Sequence, residues 1–156
     1  MARGEYILAP GVSRSPLFLI ERGTAHACLL TGTGLQTLRL GYPGELLAAL
    51  PSFYLGVATP IGIQAIRRCA GWSLTLTQLR EVVGSVAAFE QAYTQMLEES
   101  VCGFVARELD LLTADPAQRY ASLLARSPHV FQHIPQRYIA SYLRMAPETL
   151  SRLRKV

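Results

Sequence analysis

The stretch Ile134-Pro-Gln-Arg-Tyr-Ile-Ala-Ser-Tyr-Leu-Arg-Met-Ala-Pro-Glu-Thr-Leu-Ser-Arg-Leu-Arg-Lys155 decides the fold, because it predicts two short helices joined by a tight turn. The first helix is expected over residues 134–143 and the second over residues 147–155, with the break at Arg144-Met145-Ala146. Apolar residues recur three and four positions apart, so each helix has one apolar face, and these faces are expected to pack against each other. The residues expected at this contact are Ile139, Ala140, Leu143, Leu150 and Leu153.

The polar side chains of this hairpin suit a nucleic acid. Arginine can bind guanine through two hydrogen bonds, and glutamate can accept one from cytosine N4. The candidates for reading bases are Glu148, Thr149, Ser151 and Arg152. The candidates for holding phosphates are Gln136, Arg137, Arg154 and Lys155. The alternative is an ordinary helical hairpin with a charged exterior.

The positive charge of the chain is concentrated around this hairpin. Residues 115–156 carry 6 Arg and 1 Lys against Asp115 and Glu148, a net charge of +5, whereas residues 1–114 have a net charge of −1. Localised positive charge favours a polyanionic partner, because neutralising phosphates releases counterions. The alternative is a solvated basic tail.

Length and composition exclude several classes of protein. The 156 residues are 50% hydrophobic and 17% charged, as in a folded chain with a sizeable core. No apolar run reaches 18 residues and no signal sequence opens the chain, so a cytoplasmic protein without a membrane segment is expected. Cys28, Cys69 and Cys102 are far apart and predict buried free thiols rather than a metal site, and no cofactor is expected. Because no catalytic motif is present, an enzyme is not expected.

The first half of the chain predicts an antiparallel β domain. Short apolar or alternating runs stand between turn signals such as Arg22-Gly23, and Thr31–Gly34 predicts a hairpin. A short helix is expected over residues 46–50, and another over residues 77–83 with Thr77 as its cap. The expected strands are Glu5–Leu8, Leu17–Glu21, Ala25–Leu30, Leu35–Leu40, Ile61–Arg67 and Trp72–Leu76.

A long helix is expected to follow, over residues 86–112. Its apolar residues, spaced three and four apart, form one stripe. A helix of that length exceeds what a small β domain needs as cover, so the stripe is expected to face a second copy of the chain; packing on the β domain itself is the alternative. Asp115 is then expected to cap a helix that starts at Pro116 and ends near Arg126.

The final hairpin resembles the helix-turn-helix of the Crp/Fnr family of bacterial transcription regulators. The similar segments are Ile139–Leu143 and Pro147–Arg152, and Glu148, Ser151 and Arg152 match positions that read bases in the family. The β pattern and the long helix are similar to the family's sensor domain and dimerisation helix. The resemblance implies a homodimer that binds a palindromic site in double-stranded DNA and regulates transcription.

The same resemblance implies an α+β fold. An antiparallel β jelly roll, similar to a cyclic-nucleotide-binding domain, is expected over residues 1–84. A long dimerisation helix is expected over residues 85–113 and a small helix-turn-helix domain over residues 114–156. A sensor or scaffold barrel that has lost DNA binding is the alternative function.

Several positions depart from the family's pattern. Arg144 stands where the family usually carries glycine, which implies strain or a different turn. The chain opens on a strand at Gly4-Glu5-Tyr6 and ends soon after the second helix, so a short or N-terminally truncated member is expected. Such a member would lack the leading segment and the C-terminal wing of longer members.

The effector site also departs from the pattern. Gly44 and Glu45 match the family's cassette for cyclic nucleotides, but Thr59-Pro60 replaces its arginine and small hydroxyl residue. No arginine occurs between Arg39 and Arg67, and a cyclic phosphate wants a fixed cation. Cyclic AMP is therefore not the expected ligand. Gly44, Glu45 and Thr59 are candidates for a pocket that takes a less charged effector or none.

Overall fold

Two long antiparallel strands form the centre of the sheet. The computed structural model describes residues 1–32 and 34–154. Within them the sheet has the order β1-β5-β2-β3, and β4 pairs with β2 beside β3. The strands are β1 (Tyr6–Leu8), β2 (Leu17–Thr31), β3 (Gly34–Gly41), β4 (Leu46–Leu47) and β5 (Ile61–Leu74). All of these pairs are antiparallel, which confirms the expected class of sheet.

Helices occupy most of the remaining chain and follow the sheet in sequence, apart from the first. They are α1 (Leu50–Leu55), α2 (Leu76–Ser85), α3 (Ala87–Leu112), α4 (Pro116–Arg126), α5 (Val130–His133), α6 (Gln136–Tyr142) and α7 (Pro147–Leu153). The long helix predicted over residues 86–112 is present as α3. The Asp115 carboxylate accepts a hydrogen bond from the backbone N–H of Ala117 at 2.9 Å and so caps α4, as predicted.

The turn predicted at Arg22-Gly23 is wrong, because β2 continues through it. The pairing of β2 with β5 shifts register on both sides of Arg22, and Gly23 has a φ of +84°. A Cβ atom at Gly23 would lie 2.0 Å from the carbonyl oxygen of Arg68, so only glycine fits this irregularity. In the same way β5 joins the two strands expected at residues 61–67 and 72–76.

Two predicted helix starts are also wrong. Leu46 and Leu47 pair with β2 as a strand, and α1 begins later, at Leu50, with Pro51 in its first turn. The cap of α2 is Thr75 rather than Thr77. The Thr75 hydroxyl accepts from the Gln78 N–H at 3.2 Å, and the Gln78 side chain accepts from the Thr75 N–H at 2.9 Å.

The buried apolar side chains form a separate cluster on each side of the sheet. One cluster includes Ala25, Ala27 and Ile63 and packs with β4 and the start of α1. The other joins Leu40 and Ile66 of the sheet to the C-terminal helices. Because neighbouring strand residues point to opposite faces, the sheet separates a β-domain interior from a surface that carries α6.

The cysteine prediction holds for two of the three residues. Cys28 and Cys69 are buried free thiols, and burial raises the pKa of Cys28 to about 11. Cys102 is exposed on α3, so the expectation that it is buried is wrong for the single chain. The part of α3 around Cys102 turns its outer side to solvent.

Candidate nucleic-acid interface and effector pocket

The helix-turn-helix forms because proline starts each helix and apolar contacts fix the angle between them. Pro135 precedes α6 and Pro147 occupies the first turn of α7, where its missing N–H costs nothing. In the turn, the backbone N–H of Met145 donates to the Ala140 carbonyl oxygen at 3.0 Å. Arg144 has a φ of +51°, so it keeps the left-handed conformation for which glycine is usual.

The predicted contact between the two helices is present. Ile139, Ala140, Leu143 and Leu150 are fully buried or nearly so, and Leu153 is half-buried. Leu123 of α4 and Val130 of α5 complete this cluster. The orientation of α7 is therefore fixed by apolar packing on its inner side.

The outer side of α7 carries most of the predicted base-reading residues. Glu148 and Arg152 are exposed, and their spacing of four residues puts them on one face. Neither makes a hydrogen bond or an ion pair with any residue in 1–32 or 34–154. Thr149 and Ser151 are half-buried at the edges of that face. The structure thus leaves one carboxylate and one guanidinium on the same helix face, each without a partner in the described chain.

The predicted phosphate-binding residues lie at two ends of the hairpin. Gln136 and Arg137 are exposed at the start of α6, and Arg154 is exposed after α7. The Arg137 guanidinium lies 4.6 Å from the centre of the Tyr138 ring and donates to the Tyr138 hydroxyl at 2.7 Å. Lys155 lies outside the described residues.

Hydrogen bonds hold α6 against strand β3. The Thr37 N–H donates to the Ser141 hydroxyl at 2.9 Å, and the Gln36 side chain donates to the Ser141 carbonyl oxygen. The His133 ring stacks on Tyr42, with 5.3 Å between ring centres. The helix-turn-helix is therefore seated on the sheet rather than tethered at a distance from it.

His26 is buried at the same junction. Its Nδ1 lies 3.0 Å from the Thr37 hydroxyl, and the Tyr138 ring meets it edge-on at 4.9 Å. Burial lowers the pKa of His26, and the Arg137 charge acts in the same direction, while a hydrogen bond with Gln64 opposes them. His26 is thus a buried strand residue whose two ring nitrogens face the Thr37 hydroxyl and the Gln64 side chain.

Arg107 connects the long helix to both the sheet and the hairpin. Its side chain is only 7% exposed, and its guanidinium donates to the carbonyl oxygens of Thr37 and Tyr142, each at 3.5 Å. It also lies 4.7 Å from the centre of the Tyr142 ring. One helical turn later, Asp110 forms an ion pair with Arg126 of α4. These contacts tie α3, β3, α4 and α6 together.

A pocket of about 910 Å³ lies between the sheet, the segment from Gly44 to Tyr54, and α3. Gly44 and Glu45 line it, as the sequence suggested. Thr59 does not line it: this residue is buried elsewhere, and its carbonyl oxygen accepts from the Gly11 N–H at 2.8 Å. Thr59 is therefore held by the loop at Gly11 and does not share the pocket with Gly44 and Glu45.

Arg39 and Arg107 also line this pocket, and the sequence did not identify them. The absence of arginine from residues 40–66 had indicated a pocket without a fixed cation. The structure supplies two cations from outside that segment, from β3 and α3. A weak signal was present at Arg39, which stands between Leu38 and Leu40, but not at Arg107, which is followed by Glu108.

The described residues contain no candidate metal site and no candidate membrane-spanning helix. Across residues 1–32 and 34–154, His, Cys, Asp and Glu side chains nowhere gather in threes as a metal ion would need. In the same residues no helix combines the length and apolarity required to cross a membrane.

The whole arrangement matches solved structures of Crp/Fnr-type transcription regulators. FixK2 from Bradyrhizobium japonicum superimposes with a TM-score of 0.79 at 16% identity, over 99% of this chain and 80% of that one. A CooA mutant from Carboxydothermus hydrogenoformans gives 0.76 at 18% identity, over 99% and 72% of the two chains. TTHA1359 from Thermus thermophilus, a CRP/FNR family regulator, gives 0.68 at 20% identity, over 98% and 81%.

The chain has the Crp/Fnr fold. No family model matches the sequence, and no curated protein matches it either. The fold expected from the Ile139–Leu143 and Pro147–Arg152 segments is confirmed, together with its α+β class. At identities of 16–20%, the likeness is one of fold alone.

Proposed function

We propose that this protein is a transcription regulator of the Crp/Fnr type that binds double-stranded DNA as a homodimer. The observation that carries the proposal is the outer face of α7, where Glu148 and Arg152 are exposed and unpaired in the described chain. That face belongs to the quarter of the sequence with a net charge of +5. The fold shared with known regulators supports the same function.

In the proposed complex, α7 enters the major groove. Glu148 and Arg152 contact base edges, with Thr149 and Ser151 beside them. Arg154 and Lys155 contact phosphates past the end of the helix, and Gln136 and Arg137 do so at the start of α6. Arg137 must leave the Tyr138 ring or present its remaining N–H groups to do this, since guanidinium carries five donors.

The dimer is proposed to form through the second half of α3. Val101, Val105, Leu109 and Leu112 lie on one side of that helix and are exposed, Leu112 by 82% of its surface. Tyr93, Met96 and Leu97, in the first half, are half-buried against the same chain. An exposed apolar ridge of this kind is typical of a helix that packs on a second copy.

The remaining parts of the proposal concern organisation. Residues 1–84 would act as the sensor domain, residues 85–113 as the dimerisation helix, and residues 114–156 as the DNA-binding domain, in a cytoplasmic protein without catalytic activity. A signal received by the sensor domain would change the position of α3 and thereby the spacing of the two recognition helices.

A gel-shift titration with sheared genomic DNA tests DNA binding at its simplest. We expect retardation that weakens steeply as salt rises from about 50 to about 200 mM, because several phosphate contacts release counterions. The full-length double variant Arg152→Gln with Arg154→Gln, both at exposed positions, should lose most of the retardation. No retardation even at the lowest salt would favour instead a sensor or scaffold domain that has lost DNA binding.

A further inference from the structure

The pocket beside α3 has the size of a small-molecule site. Its volume of about 910 Å³ is at the upper end of the range that such ligands occupy. Most of its lining is apolar and comes from the sheet, from the segment between Gly44 and Tyr54, and from α3. The apolar residues from these three parts include Leu17 and Leu38, Leu46 and Tyr54, and Met96 and Phe104.

Two arginines in this lining lack a full set of partners. Arg107 is almost fully buried, and its Nε is enclosed without a hydrogen-bond partner among the described residues. Arg39 forms no ion pair in that part of the chain, and its guanidinium lies 4.9 Å from the centre of the Phe104 ring. The charge of Arg107 is paired only with the exposed Glu108, and Arg39 is half-buried without an ion pair in the described chain. A carboxylate between the two guanidinium groups would therefore be favourable.

The carboxylates in the lining, Glu45 and Glu99, form no ion pair with Arg39 or Arg107 in the described chain. Glu99 accepts a hydrogen bond from Gln95 at 3.0 Å on the exposed surface of α3. Glu45 lies beside the Tyr42 hydroxyl, whose pKa is raised to about 12, first by burial and then by that carboxylate. Arg107 does contact Glu108 at 3.3 Å, but that glutamate side chain is 68% exposed and gives a screened, weak ion pair.

We propose that the pocket binds a small molecule with an apolar body and one carboxylate, which pairs with Arg107 and Arg39. The apolar lining would take the body, and guanidinium matches the planar carboxylate in geometry and charge. The inference rests on the proposed function in treating this pocket as the effector site, and it names the chemistry of the effector.

The position of Arg107 also couples the ligand to the helix-turn-helix. The same guanidinium holds the ring and the carbonyl oxygen of Tyr142, the last residue of α6. A carboxylate that draws Arg107 into the pocket competes with these contacts. Ligand binding therefore shifts how firmly α6 is held against β3.

Calorimetry of the full-length protein without DNA tests the ligand class. The probes are decanoate and its uncharged counterpart decanamide, both below the concentrations at which they aggregate. We expect decanoate to bind about tenfold more tightly or better, since hydrogen bonds to a charged group contribute more than neutral ones. Equal affinities, or no binding of either probe, would overturn the proposal; the latter result would mean that a second copy or the protein's own side chains fill the pocket.

Substitutions locate the carboxylate. Arg39→Gln and Arg107→Gln should each reduce decanoate affinity toward that of decanamide, whereas Arg80→Gln, on exposed helix α2 away from the pocket, should change nothing. Circular dichroism checks that each variant is folded. If Arg107→Gln does not fold, the affinity of Arg39→Gln for decanoate alone tests where the carboxylate binds. Unchanged decanoate affinity in folded Arg39→Gln contradicts the assignment. Because no DNA is present, this result is independent of whether the protein binds DNA.

Discussion

Arg144 adopts a backbone conformation that costs free energy for any residue with a Cβ atom. Its φ of +51° places it in the left-handed region, between the two helices of the hairpin. Replacing Arg144 by glycine should therefore raise the free energy of unfolding by about 1 kcal/mol, measured by urea denaturation. Arg144→Ala is the matched control, because it removes the charge but keeps the strain. Equal stability of the two variants would show that the turn is unstrained.

Arg152 is the residue on which sequence-specific recognition should depend most. Arg152→Ala is expected to weaken binding to the preferred site by ~1–3 kcal/mol and to relax the preference at one base pair. The measurement is a footprint titration on the preferred site and on variants of it. Arg154→Gln serves as the comparison, since loss of a phosphate contact should weaken all sequences alike and flatten the salt dependence. Unchanged affinity and base preference in Arg152→Ala would remove this residue from the interface.

His26 makes the stability of the protein depend on pH. Its pKa is lowered by burial, so the unfolded chain binds a proton at a higher pH than the folded one does. Stability should therefore be fully present above the ordinary histidine pKa of about 6.5 and should fall as pH drops below it. Denaturation at a series of pH values on both sides of that pKa measures this slope. His26→Gln should flatten it, and an unchanged slope in this variant would contradict the assignment.

At the scale of the element, helix α3 serves two different surfaces. On one side it contacts its own chain, through the Tyr93 hydroxyl 2.9 Å from that of Tyr54 and through the buried Arg107 and Asp110. On the other side Leu109 has 61% of its surface exposed. Leu109→Glu should convert the proposed dimer to a monomer, because it places a charge in an apolar seam. Sedimentation velocity measures the change. Thr77→Glu adds the same charge on α2 and should leave the dimer intact; a variant at Leu109 that stays dimeric would place the interface elsewhere.

The sequence is sufficient to predict those elements whose signals are local. Asp115-Pro116 carries the cap and first turn of α4 within two residues, and the apolar spacing of Ile139, Leu143 and Leu150 gives the helix-turn-helix contact. Leu46-Leu47 was mistaken for helix because its strand conformation depends on pairing with Leu19 and Phe18, which are distant in sequence. Arg22-Gly23 was mistaken for a turn because a glycine bulge inside a strand has the same local composition.

The exposed face of α7 could be predicted from local sequence, whereas the arginines of the pocket could not. Exposure of Glu148 and Arg152 follows from helical periodicity within α7, so sequence alone was enough. The pocket is assembled from β3, the segment after Gly44 and α3, and no local pattern places Arg39 beside Arg107. Their shared environment depends on how α3 packs across the sheet, which is a property of the tertiary structure.

At the scale of the whole molecule, the positive charge is confined to the C-terminal part of the chain, but the packing of that part is not separate from the sheet. The basic excess lies in residues 115–156, yet the core of those residues is continuous with the sheet through Leu40 and Ile66. Hydrogen bonds also join Ser141 to Thr37 of β3 and Tyr142 to Arg107 of α3. In the proposed function, this direct seating of the hairpin on the sheet would let a signal reach the hairpin without a long linker.

Selection of bound sequences from a random pool of double-stranded DNA tests the central claim most directly. A homodimer with one recognition helix in each of two successive major grooves should enrich two inverted half-sites whose centres lie about one helical turn, or roughly 34 Å, apart. The enriched sequence should lose its preference at one position in each half when the pool is selected with Arg152→Ala. Enrichment of no sequence, or of a single half-site without an inverted repeat, would contradict the account.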